Sequence, residues 1–157
     1  MYIQSRFSQN TLERIFSDFQ INNGESVLYA VWLKTGRHGF VFTDKRFYWN
    51  INTSIIRNSE VTQVRLPSNI MEKNVNSLKV KIVTKDPFQN ASRKSKYLYL
   101  ALSSHIGLIR FDTTKLTYDE ALRLRKIFNQ YINESTLPEP RHKPFVQRLW
   151  ELKDVTF

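Results

Sequence analysis

Cysteine is absent from the 157 residues, and with it go disulfides, thiolate zinc sites and cysteine nucleophiles. Glycine and proline are scarce, at four and five. That argues against disorder, collagen-like repeats and a glycine-rich phosphate loop. No stretch approaches the ~18 consecutive apolar residues of a membrane-spanning helix. The opening Met1-Tyr2-Ile3-Gln4-Ser5-Arg6-Phe7 has no apolar run of the signal-peptide kind. A cytoplasmic location is therefore expected, with peripheral attachment to a membrane left open. Acids are also in short supply. Between Ala30 and Leu100 they are only Asp44, Glu60, Glu72 and Asp86, against thirteen lysines and arginines.

Aromatic residues are plentiful: eleven Phe and seven Tyr lie in a chain that is 13% aromatic. A chain of this length hides roughly two-thirds of its unfolded surface, so it can fold without metal or disulfide. The formal net charge of +10 bears on partners rather than on fold. It makes anionic membrane, nucleic acid and acidic protein surfaces the candidates.

The spacing of Leu12, Ile15, Phe16 and Phe19 predicts a helix. Asn10 is its expected N-cap, Glu13 the capping-box partner, and Asn22-Asn23-Gly24 the stop. A β-rich region follows. Residues 26–34 (SVLYAVWLK) are apolar on both faces, as in a well-buried strand. Residues 39–43 (GFVFT) and 46–50 (RFYWN) form an antiparallel hairpin about Asp44-Lys45. Further strands are expected within 54–57, over 60–66, through Leu78, Val80 and Ile82, over 97–102 and over 106–111. A second helix should run from Tyr118 to Asn133, with Thr117 as N-cap, Glu120 in a capping box and Leu116 stapled to Ala121. Its basic residues Arg123, Arg125 and Lys126 should be largely solvated. Residues 135–144 form a proline-containing linker to a short amphipathic segment carrying Phe145, Val146, Leu149, Trp150 and Leu152.

Catalytic and metal motifs do not assemble. His38, His105 and His142 fall in three separate loops without zinc-helix spacing. There is no G-x-S-x-G turn, and Ser103-Ser104-His105 reads as a polar connection. Asp119-Glu120 suits a helix N-terminus, and Glu151-Leu152-Lys153 lacks a strand-borne acid before it. No catalytic residue, metal or cofactor is expected.

The order of elements is a helix, about seven antiparallel strands and a capped helix. Gly24-Glu25-Ser26-Val27-Leu28, followed by Thr43-Asp44-Lys45-Arg46-Phe47, resembles the opening of bacterial pleckstrin-homology-like domains and the related GRAM domains. Ser54-Ile55-Ile56 to Val64 is similar to their next segment. The resemblance covers residues from about Gly24 to Asn133. It implies an α+β, mainly β fold, a partly open antiparallel barrel or sandwich capped by its C-terminal helix. On this reading residues 1–23 are a helical extension, 24–134 the domain and 135–157 the linker and tail. The resemblance also implies a non-enzymatic binding module. Lys34, Arg37, His38, Lys45 and Arg46 resemble the basic hairpin with which such domains grip anionic headgroups, although Gly39 stands where a further arginine would follow Arg37. Phe145, Leu149 and Trp150 are candidate partner-binding residues of the tail. A protein partner is the leading expectation, anionic lipid the alternative, and nucleic acid or an enzymatic role comes third.

Overall fold

The computed structural model describes residues 1–33, 37–84, 96–112 and 116–135. Among the described residues, ten strands form two five-stranded antiparallel sheets. The strands are β1 (Tyr2–Gln4), β2 (Val27–Trp32), β3 (Gly39–Thr43), β4 (Arg46–Trp49), β5 (Thr53–Arg57), β6 (Glu60–Gln63), β7 (Ser68–Met71), β8 (Val75–Thr84), β9 (Lys96–Ser104) and β10 (Gly107–Asp112). Two helices join them, α1 (Gln9–Asp18) and α2 (Tyr118–Ser135). The first sheet has the order β1-β2-β3-β4-β7 and the second β6-β5-β10-β9-β8. The two sheets do not close into one barrel.

Every expected strand is present, and β1 and β7 are additional. Three or four residues are too few to show a period. β1 is specified by its partner instead: Tyr2 lies opposite Trp32, Ile3 opposite Val31 and Gln4 opposite Ala30. The side chain of Gln4 accepts the indole N–H of Trp32 at 2.9 Å. β7 begins just after Pro67, where the sequence suggests a strand end, and pairs with β4 from Trp49 opposite Ser68 to Arg46 opposite Met71.

Alternation sorts the first sheet into two apolar faces. Tyr29, Val31, Phe40, Phe42, Phe47 and Trp49 point between the sheets, where they meet Leu102, Ile109 and Phe111. α2 closes this space with Leu124, Ile127, Phe128 and Tyr131. The ring of Phe128 lies 5.0 Å from each of the rings of Phe40, Phe42 and Phe47, in the edge-on arrangement that aromatic quadrupoles favour. Ala30, Trp32, Val41 and Tyr48 point the other way and are covered by Ile15 of α1, by Phe19 at its C-cap and by Ile21. That second cover is why β2, β3 and β4 are apolar on both faces.

Both helix starts follow elementary capping chemistry, one of them displaced from expectation. Ser8, not Asn10, caps α1: its hydroxyl accepts the backbone N–H of Thr11 at 3.2 Å. At α2 the capping box is reciprocal. Thr117 Oγ1 accepts from Glu120 N at 3.2 Å, and Glu120 Oε1 accepts from Thr117 N at 3.1 Å. Arg123 corrects the expectation of a solvated basic face. It is buried, with only Arg125 and Lys126 of that trio exposed, because it falls between Leu124 and the buried Ala121 on the packed side of the helix.

Candidate functional site

The Thr43-Asp44-Lys45-Arg46 turn is built from its own side chains. Thr43 Oγ1 accepts the backbone N–H groups of Lys45 at 3.3 Å and Arg46 at 3.2 Å, a hydroxyl-closed turn. The Asp44 carboxylate accepts from Ser26 N at 2.9 Å, and Asp44 N donates to Ser26 O at 3.1 Å. The turn is thereby tied to the start of β2. Gly24, at φ +87, bends the chain so that Glu25 enters the protein beside it.

Glu25 is buried and its carboxylate gathers donors on both oxygens. The Thr43 hydroxyl donates to Oε1. The Tyr48 phenol donates to Oε2 at 2.8 Å, and Arg46 Nε lies 3.1 Å from the same oxygen as an ion pair. The Arg46 N–H is not aimed along a hydrogen bond, so the contact is one of charge rather than direction. The Tyr48 oxygen in turn accepts from Asn22 N at 3.1 Å. Burial pushes the Tyr48 phenol up to about 12. The Asn22 N–H opposes this, while the hydrogen bond to Glu25 and its charge reinforce it. A carboxylate so fully engaged is a structural acceptor, not a base waiting for a substrate.

The described members of the basic set in the resemblance do not form one constellation. Arg37 and His38 are exposed at the β2–β3 end, held by Asn50, whose Nδ2 donates to Arg37 O at 2.7 Å while its Oδ1 accepts from Gly39 N at 2.9 Å. Lys45, also exposed, lies beyond the other end of β3, roughly 15 Å along the strand. Arg46 is half-buried and committed inward, with its Nη1 also donating to Asn69 Oδ1 at 3.3 Å. Lys34 lies outside the described residues, as do Phe145, Leu149 and Trp150 of the tail. Among the described residues, no group of His, Asp or Glu could hold a metal ion, and no helix is long and apolar enough to cross a membrane.

A second surface has no counterpart among the motifs. β6 is exposed at all four positions, Glu60, Val61, Thr62 and Gln63, and Val61 is 57% exposed. Among the described residues it is an edge strand, paired on one side with β5. Val64 N donates to Thr53 O at 2.9 Å, which sets the phase of the ladder: residues 60, 62 and 64 bond to β5. The N–H and C=O of Val61 and Gln63 therefore point away from the sheet. On the outer face Leu108, Ile56 and Val61 stand in one cross-strand row, with Leu108 and Ile56 only half-buried. Sequence reasoning places a strand here but misses its exposure. The signal is the composition Glu-Val-Thr-Gln, in which no second apolar residue supplies a core-facing side.

Compared with protein-family models, with curated proteins and with solved structures, the chain matches none.

Proposed function

We propose that this chain is a non-enzymatic interaction module of pleckstrin-homology-like type that binds a protein partner through the free edge of its second sheet. The observation that carries this is β6, a strand with outward main-chain groups at Val61 and Gln63 and an exposed apolar side chain between charged and polar neighbours. Edge strands of soluble proteins are commonly blunted with lysine, proline or a bulge. β6 carries none of these. Its exposed ladder is suited to strand addition, in which main-chain hydrogen bonds give affinity and alternate side chains give selectivity. The aromatic filling between the sheets supports a surface-reading role, since the interior is occupied by the protein's own rings.

A photo-crosslinking residue at position 61 in the producing cell tests the reading. The expected result is a covalent adduct with another polypeptide from position 61 and none from position 13, which is exposed on α1. Absence of any adduct from position 61 rules the edge out.

A second reading, attachment to anionic membrane, is favoured by the exposure of Arg37, His38 and Lys45. Each lysine or arginine near such a surface contributes about 1 kcal/mol. Co-sedimentation with phosphatidylserine vesicles at physiological salt, lost in a charge-reversed Arg37→Glu/Lys45→Glu variant, is the outcome that reading requires. Equal recovery with neutral vesicles sinks it.

A further inference from the structure

The edge has a chemical preference as well as a geometry. We infer that the partner of β6 is an extended acidic segment, alternating carboxylates with apolar residues. The inference rests on the edge reading above and specifies what adds there. A strand laid against β6 hydrogen-bonds to Val61 and Gln63, because only those residues turn their backbone groups outward. Its side chains on the outer face continue the cross-strand rows of the second sheet. One row is Leu108–Ile56–Val61 and takes an apolar residue. The next is Arg110–Ser54–Gln63, whose near end at the added strand is Gln63, so it takes a polar residue.

Charge selects the acid. Glu60 is the one acid of β6 and lies directly opposite the exposed Arg57, so the two offset each other across the hairpin. Arg65 follows β6 and is exposed with no acid beside it in sequence. The chain as a whole carries +10. A basic or identical copy approaching this edge is repelled, whereas an acidic segment is steered toward it. The carboxylates also keep such a segment soluble and extended when free.

The test uses the full-length protein and two capped six-residue peptides, one alternating glutamate with valine and one alternating lysine with valine. Amide hydrogen exchange is read at Val61 and Gln63, with Thr62, already bonded within the hairpin, as internal reference. The glutamate peptide is expected to slow exchange at Val61 and Gln63, and to bind at least about tenfold more tightly than the lysine peptide. That factor corresponds to about 1.4 kcal/mol. Val61→Pro removes an outward N–H without touching the β5 ladder and should abolish the protection. Arg65→Glu lies outside the strand, leaves the fold intact by circular dichroism, and should weaken the glutamate peptide at least about fivefold while sparing the lysine peptide. Equal protection by both peptides overturns the acidic preference and leaves the edge reading standing. Protection by neither overturns the inference, and the crosslink at position 61 then decides the edge reading separately. Slowed exchange at the β3–β4 turn, with none at β6, also overturns it.

Discussion

The phenol of Tyr48 donates to the carboxylate of Glu25 at 2.8 Å, joining the outer face of the first sheet to the loop that enters β2. The bond makes stability depend on pH at the alkaline end. In the folded protein the Tyr48 phenol titrates at about 12, against about 10 when unfolded. Between these values the unfolded chain holds fewer protons than the folded one, so stability falls as pH rises. The contribution is whole below pH 10 and is lost by about pH 12. Tyr48→Phe should flatten that limb of a urea-melt series while costing about 1–2 kcal/mol at neutral pH, because Glu25 loses a donor in a buried place. A limb unchanged in the variant would contradict the assignment.

Glu120 governs the acid end by the opposite sign. Burial alone would raise its carboxyl, but the Thr117 backbone N–H and the terminal ammonium of Met1, 3.2 Å away, outweigh it and hold it below the ordinary range. The unfolded chain therefore binds the proton first as pH falls. The stabilisation is present above about pH 4.5 and is lost as pH drops toward the depressed folded value. Glu120→Gln should remove this part of the acid transition. Thr117→Ala should cost about 1 kcal/mol at neutral pH through the lost cap.

The legible parts of this fold are those where one periodicity or one cap acts alone. The reciprocal box at Thr117 and Glu120 announces α2. The doubly apolar run Val27–Trp32 announces a strand covered on both sides, as α1 and α2 bear out. What was not legible depends on partners distant in sequence. β1 is three residues long and exists because β2 offers it an edge. Arg46 reads as a free cation until Glu25, far back in the chain, is folded against it. Arg123 reads as solvated because charge alone does not say which side of a helix is packed. The outward edge of β6 was hidden for a similar reason, since only the ladder phase set by Val64 and Thr53 shows which amides remain unpaired.

Gly39 is a test of close approach. A Cβ built there would sit 2.0 Å from the carbonyl oxygen of Val31, and the atom it meets is backbone that cannot swing aside. β2 and β3 would have to separate where Trp32 lies opposite Gly39. Gly39→Ala should therefore cost at least about 3 kcal/mol, in the range of severe core disruption. It should also release the backbone at Arg37 and Gly39 from the Asn50 side chain, seen as faster amide exchange at residues 37–39. A melting temperature within a degree or two of the parent would show that the strands can part cheaply.

The β5–β6 turn offers a change in the other direction. Asn58 and Ser59 both hold positive φ, 51 and 65, between the paired Arg57 and Glu60. Positive φ at both central residues of a two-residue hairpin loop marks a type I′ turn, which follows the twist of the strands and favours Asn-Gly. Asn58 suits its place. Ser59 carries a Cβ against the following carbonyl, a strain of about 1 kcal/mol, whereas glycine adds about half that in unfolded-state entropy. Ser59→Gly should therefore stabilise the protein by about 0.5 kcal/mol, a rise of roughly 1–2 °C in Tm. Ser59→Val, β-branched at positive φ, should destabilise it by more than 1 kcal/mol. Because the turn sets the register that leaves Val61 and Gln63 facing outward, the glycine variant should bind the glutamate–valine peptide at least as well as the parent. The valine variant should lose both stability and binding.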